Sequence, residues 1–146
     1  MPRPPEGANR KSLSLEIPNR LDGLTTLKSH VDSFAERNHL NPRLRRKVQV
    51  VLDELVSNIV RHGCSHLPED TTISVHLMRV GHRLVIQLRD PGKPFNPFEV
   101  EEPDLDLPVE ERPIGGLGLH LVRQMVSSYR YRRLENWNQV DLEMPI

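Results

Sequence analysis

The chain has 146 residues, with 20 Lys and Arg against 20 Asp and Glu and a formal net charge of zero. That length suits one domain with one core, and the balanced charge argues against a global nucleic-acid footprint, which would leave a basic excess. The lone cysteine, Cys64, excludes an internal disulfide, no stretch reaches the ~20 apolar residues of a membrane span, and no apolar run of signal-peptide kind follows Met1, so the expectation is a soluble cytoplasmic domain.

Residues 1–11 (MPRPPEGANRK) read as a flexible tail, because prolines block regular structure. SLSLEI (Ser12–Ile17) alternates and predicts a strand. Leu21 to Asn38 predicts a helix with Leu24, Leu27, Val31 and Phe34 on one stripe. Asn41-Pro42 marks a break, and Asn41 is placed to cap the next helix, which runs from Pro42 to about His62. Its apolar face is Val48, Val51, Leu52, Leu55 and Ile59, and Gly63 ends it. TTISVHLMRV and HRLVIQLRD alternate around Gly81-His82, a hairpin signal. Glu99 to Pro113 holds seven acids, one arginine and three prolines. It is too long for an ordinary connection and suits a lid or binding loop, with bounds near 96–113. Gly116 to Ser128 is helical in pattern, with Leu117, Leu121, Val122 and Met125 apolar. YRYRRLE and QVDLEMPI form a second hairpin around Asn136-Trp137-Asn138. The order β-α-α-β-β-loop-α-β-β implies one α+β domain over residues 12–146. Its architecture would be a two-layer sandwich, helices packed on one face of a mixed, mainly antiparallel sheet.

Three stretches can carry chemistry. Glu54 and Asn58, in LDELVSNIVRHG, are four apart and share a helix face at the edge of the apolar stripe. A carboxylate there can take a proton, and an amide oxygen can ligate a hard cation such as Mg²⁺; a solvated polar edge explains the same pair. His62 lies one turn further on the same side. In DPGKPFNP, Asp90 ends a strand and suits a donor such as the exocyclic amine of adenine, while Gly92 lets a flat ring approach the backbone. An ordinary turn uses the same residues. In RPIGGLGLHLV, Gly115, Gly116 and Gly118 precede a helix whose free N–H groups attract anions, yet neither the Walker nor the dinucleotide pattern is complete. HGCSH (His62, Cys64, His66) has no second cluster to complete a zinc site, and YRYRRLE alternates as a plain surface strand.

Together the three resemble a known arrangement. Glu54-x-x-x-Asn58 is similar to the N-box of the GHKL (Bergerat-fold) ATPases, Asp90-x-Gly92 to their adenine motif, and Gly116-x-Gly118 to the second glycine box at the ATP lid. Within that superfamily ELVSNIVRHG, DPGKPFNP and GGLGLHLVRQM resemble the anti-sigma factor serine/threonine-protein kinases. The resemblance implies that Asn58 holds Mg²⁺ and that Glu54 is the general base toward a serine or threonine hydroxyl. Asp90 and Gly92 would bind adenine, and Gly116, Leu117, Gly118 and Leu119 would receive the phosphates. His62 and Lys93 would be nucleotide neighbours. The implied cofactors are ATP and Mg²⁺. The implied partners are an anti-anti-sigma factor of the STAS type, a sigma factor and a second copy of the chain, with no direct nucleic acid and no membrane. The implied function is phosphorylation of the STAS partner while a sigma factor is sequestered. A nucleotide-binding switch without phosphotransfer is the alternative. A detached histidine-kinase catalytic domain is another, disfavoured because no helical hairpin with a phospho-accepting histidine precedes the domain. The acidic lid would face a basic patch on a partner or stay mobile until docking.

Overall fold

The computed structural model describes residues 11–99, 106, 108 and 117–146. Strand β1 (Ser12–Pro18) leads into helices α1 (Gly23–Arg37) and α2 (Pro42–Asn58), and a π-helical turn over Ile59–Gly63 continues α2. Strands β2 (Thr72–Val80) and β3 (Arg83–Asp90) follow, then a 3-10 turn at Pro97–Glu99. Helix α3 (Leu117–Met125) and strands β4 (Ser128–Leu134) and β5 (Trp137–Pro145) complete the described order. The tail up to residue 10, Gly115, Gly116 and most of the segment 96–113 lie outside the described residues.

The sheet order is β1-β2-β3-β5-β4. The α+β two-layer sandwich is as the element order implies, but the sheet is not mixed: all four pairings are antiparallel. The reason lies in the connections. Pro18 pairs with Thr72, so the α1–α2 excursion leaves and rejoins the sheet at the same end. Asp90 pairs with Asn138, so β3 and β5 also meet end to start. Tight turns make the other two pairs, with Gly81 at φ +60 between β2 and β3. Between β4 and β5 the turn is Glu135-Asn136, with Glu135 at φ +53. Trp137 and Asn138 are already in β5, one step beyond the turn expected from sequence.

The period of two sorts residues between the sheet faces. Ile73, Val75, Leu77, Leu84, Ile86, Leu88, Leu142 and Met144 are buried in the same core cluster as the helices' apolar residues. A cross-strand row on the other face, Ser14, His76, Gln87, Asp141 and Arg130, is polar throughout. Its members bond one another: the Ser14 hydroxyl meets His76 Nδ1 at 2.8 Å, and Gln87 donates to Asp141 at 3.0 Å.

Helix α2 forms where its sequence says. The Asn41 side chain accepts from the Leu44 N–H at 2.8 Å and Pro42 sits in the first turn. Leu44, Val48, Val51, Leu52, Leu55 and Val56 make the buried stripe. Arg45 donates to Asp32 of α1 at 2.9 Å and Gln49 adds a bond at 3.1 Å. The hydrogen bond from Arg45 is the main reason the Asp32 carboxyl is held below its usual range. The α-helix stops at Asn58, short of His62. The next turn widens, and Cys64 N–H reaches back five residues to Ile59 C=O at 2.7 Å.

Leu52 is fully buried, whereas Leu121 is exposed. Leu52→Ala is expected to lower unfolding free energy by about 2–5 kcal/mol and Asn41→Ala by about 1 kcal/mol, with Leu121→Ala within about 0.5 kcal/mol of the parent. Urea denaturation with an unchanged m-value checks all three. Equal losses at Leu52 and Leu121 would contradict the assigned core.

Candidate functional site

Asp90 is the last residue of β3 and is 95% hidden, with 5% of its surface accessible. A buried carboxylate must find donors. One oxygen, Oδ1, has three: the Gly92 N–H at 2.9 Å, Asn138 Nδ2 at 3.1 Å and the Cys64 thiol at 3.6 Å. Oδ2 accepts from no described residue. One face of the carboxylate is therefore fixed and the other is open for a donor. The same contact acts on Cys64, whose thiol is pushed up to about 12, first by burial and then by the Asp90 charge and hydrogen bond. Cys64 thus stays a neutral donor at any physiological pH.

Gly92 cannot carry a side chain here. A Cβ would sit 2.7 Å from Asp90 Oδ1 and collide with the Gly63 carbonyl. The next residue, Lys93, donates its N–H to that Gly63 carbonyl at 3.1 Å. The wide turn after α2 and the loop after β3 are thereby tied backbone to backbone. Asn19 at the end of β1 supports the same corner, donating to the Cys64 carbonyl at 2.8 Å.

A cleft opens beside this corner. Its lining includes apolar Leu55, Ile59, Leu88 and Phe95, and polar Asn58, Asp90 and Asn138. Asn58 reaches it from α2, one turn beyond Glu54. Neither the Asn58 amide nor the Glu54 carboxylate has a hydrogen-bond or ionic partner among the described residues, and both are half-buried. Glu54 meets the first turn of α3: a Cβ on Gly118 would overlap its carboxylate group. The amide oxygen of Asn58 is a hard donor of the kind Mg²⁺ takes, so this residue fits that ion. Among the described residues no group of three His, Cys, Asp or Glu side chains converges on a metal position.

The residues expected from sequence divide as follows. Asn58 and Asp90 line one cleft, Gly92 forms its backbone corner, and Glu54 and Gly118 lie together beside it. Leu117 begins α3, and Leu119 is buried in the core, so any contact it makes with a ligand runs through its backbone. Lys93 is exposed and takes part in the corner through its backbone. His62 is exposed on the π turn and does not line the cleft. Gly116 lies outside the described residues. The 3-10 turn at Pro97–Glu99 is anchored: Phe98 stacks on Tyr129 with centroids 4.3 Å apart, and Arg123 of α3 donates to the Phe98 carbonyl.

Sequence reasoning missed Asn138, Tyr131 and Arg133. Asn138 accepts from the Tyr131 hydroxyl at 2.6 Å and from Arg133 at 3.2 Å, while Arg133 also donates to the Gly92 carbonyl at 2.8 Å. The only signal was an asparagine near a hairpin turn, which a turn explains equally well.

With this geometry in view, the comparisons with known proteins are specific. Residues 17–144 match the family model of the histidine kinase-like ATPase domain, and the chain belongs to that family. It is 26% identical over 112 residues to the serine/threonine-protein kinase BtrW of Bordetella bronchiseptica, covering 77% of this chain and 78% of that one. Two solved structures share the fold. One holds the RsbU and RsbW domains of a Mycobacterium tuberculosis protein, with a TM-score of 0.64 and 14% identity over 92% of this chain; the chain spans 32% of that longer molecule. The other is the SiaB–SiaC complex of Pseudomonas aeruginosa, with a TM-score of 0.61, 14% identity, 94% of this chain and 92% of that one. The family match accords with the resemblance to ATPases of the GHKL kind carried by the three motifs. No helix among the described residues is long and apolar enough to cross a membrane.

Two outcomes follow from the packed corner. Cys64 in the folded protein is expected to resist a water-soluble maleimide at pH 8 and to react fully in urea; stoichiometric labelling of the native protein would contradict its burial against Asp90. Gly92→Ala is expected to cost about 1–3 kcal/mol in urea denaturation, and an unchanged midpoint would show that the Gly63 contact is not made.

Proposed function

We propose that the chain is an ATP- and Mg²⁺-dependent protein serine/threonine kinase that phosphorylates a STAS-type anti-anti-sigma partner and, in its other state, sequesters a sigma factor. The observation that carries this reading is the meeting of residues far apart in sequence. Asn58 and Asp90 line one cleft, and Glu54 lies one helical turn from Asn58 against Gly118. Membership of an ATPase-domain family and the likeness to a serine/threonine kinase support it.

The roles follow from the chemistry of each group. Asp90 Oδ2 accepts the 6-amino group of adenine, and Leu55, Ile59 and Leu88 form the apolar walls of the cleft. Asn58 would hold Mg²⁺ through its amide oxygen; bound there, the ion supplies charge neutralisation for the phosphates. The N-terminus of α3, where Gly118 leaves room for Glu54, would offer backbone N–H groups to the same anions. Glu54 takes the proton of the partner's hydroxyl as that oxygen bonds to the γ-phosphorus. The bond from phosphorus to the β–γ bridging oxygen breaks, and ADP leaves. Phosphoryl transfer needs alignment and charge compensation more than covalent help, which suits a site with one carboxylate base and no nucleophile. A second copy of the chain as partner in a homodimer, and a cytoplasmic location, belong to the same reading.

Transfer of label from γ-labelled ATP to a panel of STAS proteins tests the function. Wild type is expected to label one of them on serine or threonine. Glu54→Gln is expected to lose at least about 100-fold in rate while its ATP affinity stays near wild type. Wild type that binds ATP yet labels nothing would favour a nucleotide-binding switch. Full activity in Glu54→Gln would remove the assigned base. Asn58→Ala is expected to abolish the Mg²⁺ dependence of ATP affinity, and an unchanged dependence would remove the assigned metal ligand.

A further inference from the structure

The β4–β5 hairpin lies outside all three sequence motifs, yet it makes several polar contacts beside the cleft. Asn138 stands directly opposite Asp90 in the β3–β5 pairing and is 4% exposed. Its Nδ2 donates to Asp90 Oδ1 at 3.1 Å and to the Lys93 carbonyl at 2.8 Å, with the Gly92 carbonyl at 3.5 Å. Its Oδ1 accepts from the Tyr131 hydroxyl at 2.6 Å, Arg133 at 3.2 Å and the Phe95 N–H at 3.4 Å. Arg133 and the Phe95 N–H can only donate, and the two carbonyls can only accept. All contacts therefore agree on one orientation of the amide. Flipping it would set oxygen against the Asp90 carboxylate and against two carbonyls.

That orientation has a consequence for Asp90. An Asp χ2 torsion is soft, so a carboxylate alone would swing and present either oxygen. Here the Asn138 amide, together with the Gly92 N–H and the Cys64 thiol, occupies Oδ1. Only Oδ2 remains, as a pure acceptor. We propose that Asn138, held by Tyr131 and Arg133, is the positioning residue that fixes Asp90 in this pose and so sets the cleft's preference for a 6-amino over a 6-oxo purine. This rests on the reading of the cleft as a purine-nucleotide site. A 6-amino group donates to Oδ2. A 6-oxo group would face it acceptor to acceptor, and a fixed carboxylate cannot turn away. Sites built around a fixed hydrogen bond reject a mismatched group far better than apolar sites do.

Replacing the amide by an acid changes the chemistry with almost no change in shape. In Asn138→Asp two carboxyl groups would lie at hydrogen-bond distance and share one proton. Bridging the two carboxyl oxygens, that proton replaces the directed N–H donor of Asn138 at Oδ1, so the Asp90 pose is no longer fixed by the amide. Tyr131→Phe leaves Asn138 in place and removes one bond that orients it.

The experiment compares dissociation constants of Mg-ATP and Mg-ITP by calorimetry for the full chain and for Asn138→Ala, Asn138→Asp, Tyr131→Phe and Asp90→Asn. Wild type is expected to prefer ATP by at least about tenfold. Asn138→Ala and Asn138→Asp are expected to bring the ratio within about threefold, with Tyr131→Phe between them and wild type. The ratio is the informative quantity, because a loss of folded protein weakens both nucleotides equally. A wild-type ratio in Asn138→Asp and Tyr131→Phe, or an equal loss for both nucleotides, would overturn the assignment of Asn138. Wild type binding neither nucleotide, or Asp90→Asn keeping the wild-type ratio, would overturn the purine reading itself and the assignment with it.

Discussion

One contact constrains the rest of the site: the close approach of the Gly92 backbone to the Gly63 carbonyl. The wide turn that ends α2 and the loop that ends β3 share that corner, and Lys93 N–H bonds to the same carbonyl. Because both segments are pinned there, Asn58 from the helix and Asp90 from the strand face one cleft. Any residue larger than glycine at position 92 would push the helix end and the strand end apart. The widening of α2 into a π turn follows the same demand, since it lets Cys64 reach back to Ile59 and brings its thiol to Asp90.

The carboxylate at that corner is a second constraint. Burying a charge costs free energy unless donors replace water. Asp90 draws its donors from three places in the chain: the loop after α2, its own turn, and the start of β5. The Gly92 N–H and Asn138 amide bonds are directed and the Cys64 thiol adds a weaker contact, so the group is fixed as well as stabilised. The fixed oxygen leaves one acceptor and little choice about what it can meet.

Much of this was readable in advance. The apolar stripes of α1 and α2, the Asn41 cap and the alternation of β2 and β3 follow from local pattern and appear where the pattern puts them, while β5 begins earlier than expected, at Trp137. Glu54, Asn58, Asp90 and Gly92 were legible because each motif couples a reactive group to a local geometry, a helix turn or a glycine turn. Asn138 was not, because its role arises from the β3–β5 register, 48 residues away from Asp90 in sequence. Nor was the fully antiparallel sheet, since strand direction depends on which sheet end the α1–α2 excursion rejoins. His62 illustrates the opposite limit: helical spacing put it beside Asn58, and the π turn leaves it exposed and away from the cleft lining.

The central claim is that a nucleotide sits at the Gly63–Gly92 corner with its base on Asp90 and its phosphates toward Glu54 and Gly118. The most direct measurement is a ¹H–¹⁵N NMR titration of the protein with Mg²⁺ and a slowly hydrolysed ATP analogue. The account predicts that the amides of Gly63, Gly92, Lys93, Asn138 and Gly118 shift together along one binding curve, while Ser14, His76 and Arg130 on the open sheet face stay in place. Saturable shifts confined to the open face, with the corner amides unmoved, would contradict it.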